Sequence, residues 1–225
     1  MSRLTKNELM EQLKNQENDL RRLRRSLAMT QLDLEPAEYI SSPVFETKVS
    51  EHAREVIQRG CAEWDMNVTE PEYNGDWQRI NTYIKGVDGI GWTWEKDYTK
   101  NGQFAWCGAF AAFCYTRINA KIRHKIFPSC YRLWNNWGGT SRKVSELNAG
   151  DIVVVYTSSE QSPSYGNHIT ICMGFPDMDG NFETLEGNAK GQGPNNEFQE
   201  GVIRRHRNVK DIAHIYRPAS EDYDE

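Results

Sequence analysis

The spacing of apolar residues changes from helical to alternating midway along the chain, and that change constrains the fold most. Between Lys48 and Trp64, Val49, Ala53, Val56, Ile57 and Cys61 recur on one side of a helix. Trp77 to Ile84 reads as a second, short helix that Gly86, Gly89 and Gly91 bring to an end. Gly108 to Tyr115 reads as a third, whose small residues allow it to press closely on a sheet. After the turn residues Asn148-Ala149-Gly150 the period becomes two. Asp151–Tyr156 is β-branched, His168–Met173 and Phe182–Glu186 alternate, and Pro176–Asn181 between the last two suits a hairpin connection. Val202–Arg205 and Ala213–Tyr216 complete the set. Helices first and strands afterwards predict an α+β domain, with helices packed on an antiparallel sheet.

A separate pattern precedes this domain. Leu9, Leu13, Gln16, Leu20, Leu23, Leu27, Thr30 and Leu34 alternate by four and three, which is heptad spacing. Thr5 and Glu8 supply a capping-box pair at its start, and Pro36 a stop. A lone helix cannot bury such a stripe, so residues 1–35 are expected to form a coiled coil that joins copies of the chain or docks on a larger assembly. Arg21, Arg22, Arg24 and Arg25 around the seam read as a solvated face. Residues 36–47, with two prolines and two serines, read as a linker; 48–218 as the main domain; and 219–225 as an acidic, disordered tail.

Composition excludes several classes. The net charge of -5 gives no nucleic-acid footprint, and no apolar run is long enough for a bilayer. The polar N-terminus is unlike a secretory signal. Five cysteines, an odd number without a CxxC pair, fit neither a disulfide framework nor a zinc site.

One cysteine stands apart. Cys107 follows the turn-rich Lys100-Asn101-Gly102-Gln103 and precedes the third helix. A thiol at a helix N-terminus meets unpaired N–H groups and the positive end of the macrodipole, which favour the thiolate. The competing reading is a buried structural cysteine. A nucleophile needs a base. Among five histidines, His52 lies in a helix, His124 in a basic loop, His206 among arginines and His214 near the end of the last strand. His168 opens a strand directly after Gly166-Asn167, which suits an imidazole presented at a sheet end. On the next strand Glu186 and Asn188 are two apart and can share a face; either one could orient the imidazole. Cys61, Cys114, Cys130 and Cys172 are expected to pack, as are most of Trp92, Trp94, Trp106, Trp134 and Trp137.

Four segments together resemble the successive landmarks of CHAP domains, the cysteine- and histidine-dependent amidohydrolase/peptidases related to the NlpC-type cell-wall peptidases. They are Trp106-Cys107-Gly108-Ala109-Phe110, Leu147-Asn148-Ala149-Gly150-Asp151-Ile152-Val153, Gly166-Asn167-His168-Ile169-Thr170-Ile171 and Leu185-Glu186-Gly187-Asn188-Ala189. The resemblance covers about residues 48–218. It implies a papain-like fold, Cys107 as nucleophile, His168 as general base, and Glu186 with Asn188 completing the site. In such a fold the backbone N–H of Cys107 is an oxyanion donor, and Gln103 is a candidate for the second. The implied activity is cleavage of an amide bond in the peptide of bacterial peptidoglycan, with no cofactor. Some relatives hold calcium before the cysteine, but Trp92–Tyr98 lacks closely spaced oxygen ligands, and Asp177 with Asp179 reads as a turn. The coiled coil, in the place of a wall-binding module, implies a phage particle or the host cytoplasm as location. The alternatives are a structural virion protein whose hydrolase-like domain is not catalytic, and a thiol peptidase acting on proteins.

Overall fold

The computed structural model describes residues 49–73, 75, 77–87, 105–115, 118, 129–136, 141–157, 166–219 and 222. All of them fall within the unit Ser42–Glu225. The expected coiled coil (1–35), the linker (36–47), Gln103, His124, Trp92, Trp94 and Trp137 lie outside the described residues. So does most of the tail, of which Ala219 and Asp222 are joined by two hydrogen bonds, at 2.7 and 3.0 Å.

The described chain is mixed α and β. Four α-helices are present among these residues: α1 (Glu51–Asp65), α2 (Trp77–Gly86), α3 (Cys107–Cys114) and α4 (Cys130–Asn136). Strands β1 (Ile152–Val155), β2 (His168–Cys172), β3 (Asn181–Gln192), β4 (Phe198–Asn208) and β5 (Ile212–Tyr216) form an antiparallel sheet in the order β4-β3-β2-β1-β5.

Each helix has a local reason to be there. Ser50 caps α1, its hydroxyl accepting from the Ala53 N–H at 3.2 Å, and the helix buries Val56, Ile57, Gly60 and Glu63. Gly60 is small because α1 crosses close to β3 there; an added Cβ would lie 2.6 Å from the Leu185 side chain. α3 has no polar face. Every residue but Phe113 is buried, so it is the central helix against the sheet.

The sheet is covered on both sides. Ile152, Val154, Ile169, Ile171 and Leu185 join the helices in the main core, while Val153, Val155, Cys172 and Phe182 pack with Leu147 and Ile215 on the opposite face. The expected alternation of β2 therefore holds, with Ile169 and Ile171 on the helix side and Cys172 away from it. As expected, Asp177 heads a turn between β2 and β3. Its carboxylate accepts from the backbone N–H groups of Asp179 (2.9 Å) and Asn181 (2.8 Å), and Gly180 takes the left-handed conformation.

Two features were not anticipated from the sequence. β3 runs on well past Glu186 and β4 begins well before Val202; a second turn joins them, closed by hydrogen bonds of 3.0 Å between Gly193 and Glu197 and between Asn196 and Gly193. Short α4 is the other.

Candidate active site

The site is assembled at the start of β2. Cys107 is the first residue of α3, after Trp106 at the cap position. His168 is the neighbour that acts most strongly to lower the Cys107 thiol, with smaller help from the backbone of Ile169 and Gly108. His168 is the first residue of β2. Its Nε2 lies 3.1 Å from Glu186 Oε2, which leaves Nδ1 for the sulfur. Of the two candidates left open by the spacing, Glu186 is the residue that orients the ring.

Glu186 is completely buried, and three side chains hold it. Besides His168, Thr184 donates its hydroxyl at 2.6 Å. Arg207, from neighbouring β4, forms a two-pronged pair with Nε to Oε1 and Nη2 to Oε2, both 2.8 Å. Burial alone would make this carboxyl hard to ionise. Hydrogen bonds from His168 and Arg207 outweigh that, holding it well below the ordinary carboxylate range.

A buried anion behind the imidazole sets the charge of the pair in front. Burial pulls His168 down, but the Cys107 sulfur and then Glu186 stabilise the cation, and its pKa is pushed up to about 9. Burial pushes the Cys107 thiol up, yet the charge and hydrogen bond of His168 more than reverse it, so the thiol lies below its usual value. Each group thus stabilises the charged form of the other, thiolate beside imidazolium.

The other thiols go the opposite way. Burial raises Cys61 to about 11 and Cys172 to about 12, and lifts Cys114 and Cys130 as well. Packing is thus their role, as the sequence suggested. Trp106 is wholly buried in the core, and Trp134 stacks on His214 with ring centres 4.1 Å apart.

Asn188 stands elsewhere than the spacing implied. β3 bulges between Glu186 and Ala189, and Asn188 is left-handed (φ 57°), so the two-residue alternation does not carry across it. Its Oδ1 accepts from the backbone N–H of Trp106 at 2.8 Å and its Nδ2 donates to Glu70 Oε1 at 3.2 Å. It therefore holds the start of α3, while the imidazole is left to Glu186. The bulge also carries Gly187, where a Cβ would lie 2.4 Å from that of Phe110; only glycine lets α3 come this near to β3.

Arg207, Thr184 and Glu70 escaped the sequence reading. Thr184 had a signal, since it shares the Glu186 face of an alternating strand. Arg207 had none, being one of three arginines within four residues.

No family model matches this chain, and no curated protein or solved structure matches it. What the site can do is set by its own geometry: a low thiol, a cationic imidazole and a buried ionised carboxylate in series. Among the described residues no group of three or more His, Cys, Asp or Glu could hold a metal ion, and no helix is long and apolar enough to cross a membrane.

Proposed function

We propose that this chain is a cysteine-dependent amide hydrolase and that its substrate is the peptide of bacterial peptidoglycan. The Cys107–His168–Glu186 series carries the first part. An amide carbonyl placed over the sulfur is attacked by the thiolate, and the S–C bond forms as the carbonyl oxygen becomes an oxyanion. The N–H of Cys107 lies in the first turn of α3, where helix geometry gives it no intrahelical acceptor, and it is the natural donor to that oxygen. His168 then gives its proton to the leaving nitrogen and the C–N bond breaks. Water, deprotonated by His168, hydrolyses the thioester and restores the thiolate. Glu186, fixed by Arg207 and Thr184, keeps the ring oriented throughout.

Support for the substrate is the likeness of the four motifs around Cys107, Gly150, His168 and Glu186 to CHAP domains. On this reading the domain is papain-like, and residues 1–35 join copies or attach the enzyme to a phage particle. Mass spectrometry of fragments released from purified peptidoglycan tests the activity. Wild-type protein should release peptides with new amine termini, and Cys107→Ala should release none. Equal release by both proteins would overturn the proposal.

A further inference from the structure

Glu70 takes no part in the chemistry above, yet the fold fixes it beside the nucleophile. Val68–Glu70 runs along the free edge of β4. Thr69 bridges Gly201, the Val202 N–H donates to the Val68 carbonyl at 2.8 Å, and the Glu70 N–H donates to the Glu200 carbonyl at 2.8 Å. The approach requires glycine, because a Cβ on Gly201 would lie 2.2 Å from the Val68 oxygen. On its other side the Glu70 carbonyl accepts from the Gly75 N–H at 3.0 Å. The backbone of Glu70 is thus held before its side chain does anything.

That side chain reaches Trp106. One carboxylate oxygen, Oε1, accepts from the indole Nε1 at 2.8 Å and from Asn188 Nδ2 at 3.2 Å. Asn188 in turn accepts from the Trp106 N–H at 2.8 Å, and the Trp106 carbonyl accepts from the Phe110 N–H at 2.9 Å. Trp106 is held at its indole, its amide and its carbonyl. The cap position itself offers no side-chain hydrogen bond to the helix, so this external clasp stands in for a capping serine or aspartate. The Trp106 carbonyl and the Cys107 N–H belong to one rigid peptide plane. Holding the first aims the second.

We infer that Glu70 is a positioning residue: acting through Trp106 and Asn188, it sets the direction of the Cys107 N–H that receives the oxyanion. The inference rests on the hydrolase reading. Glu70 bonds Trp106 and Asn188, whereas the ion pair is set by His168 and Glu186, so its loss should spare thiolate formation and harm only the step in which an oxyanion appears.

Two measurements separate those effects. Alkylation of Cys107 by iodoacetamide reports the thiolate and forms no oxyanion, whereas cleavage of a wall peptide needs both. Glu70→Ala should lower kcat by about 10- to 100-fold, as misdirected donors do. KM and the alkylation rate should stay near wild type. Glu70→Gln, which keeps one acceptor oxygen, should recover part of the loss. Should Glu70→Ala fail to fold, as read by thermal melting, Glu70→Gln is compared in wild-type and Trp106→Phe backgrounds. Its effect should shrink where the indole donor is already gone and only the Asn188 bond remains. Wild-type kcat in Glu70→Ala, a parallel fall in alkylation, or a Glu70→Gln effect undiminished in Trp106→Phe each overturns the inference and leaves the hydrolase reading intact. Wild-type protein that cleaves no wall peptide overturns both.

Discussion

Helix α3 ends in a cysteine on each side, and the two ends share more than they first show. Near Cys107 stands Glu186, buried and gripped by Arg207; near Cys114 stands Glu63, buried and gripped by Arg79 through Nε at 2.7 Å and through Nη2. Both carboxylates accept a further hydroxyl, from Thr184 and from Tyr83 respectively. The thiols nonetheless diverge, Cys107 falling below its ordinary value and Cys114 rising well above it. Burial raises both. What differs is the group next to the sulfur. An imidazole stands between Glu186 and Cys107, converting a distant negative charge into an adjacent positive one. At Cys114 the Glu63 charge adds to the effect of burial. An arginine-clamped buried glutamate is thus no mark of a site in itself; its third partner decides.

The largest test of this contrast is removal of each sulfur. Cys107→Ala should lower wall cleavage at least about 10⁴-fold, measured by turbidity loss of wall suspensions. At neutral pH iodoacetamide should mark Cys107 and leave Cys114 unmodified in peptide mass maps. Next come the arginines. Arg207→Met and Arg79→Met each strand a buried carboxylate, at a cost of about 3–5 kcal/mol in urea unfolding. Only Arg207→Met should also alter the pH profile of cleavage; an equal change in both would break the contrast.

The pH profile itself should be a bell. Because the thiol is lowered, the acid limb lies below the value of a free thiol. Because the imidazolium persists up to about 9, activity should fall as pH rises through that value. For stability the sign is the same. A raised His168 contributes fully below its ordinary 6.5, and the contribution is lost as pH rises through about 9. Glu186→Gln removes the anion behind the ring, and the alkaline limb of kcat/KM should move down by about one on the pH scale. Cys114→Ala should have the smallest effect, with activity kept and stability lower by about 1 kcal/mol in thermal melts.

Much of this was legible from residue order alone. The alternation of His168–Met173 placed His168, and the small residues after Cys107 placed that cysteine at a helix start, because both signals are local. Glu186 followed from its strand, although Asn188 beside it did not, since a bulge and a left-handed residue cannot be read from spacing. The long-range partners were out of reach. Arg207 sits in Arg204-Arg205-His206-Arg207, and nothing in that run tells which guanidinium turns inward. Glu70 meets Asn188 across 118 positions, through an edge pairing that only the folded sheet creates.

The position of Cys107, on a helix over one side of the sheet with its histidine braced from the other, has a consequence during synthesis. Until β2, β3 and β4 have been made and joined, the sulfur is an ordinary thiol, without the cation that activates it. A ribosome-bound chain that has passed Cys107 but not yet reached Arg207 is chemically quiet. Reactivity arrives late and all at once, with the closing of the sheet.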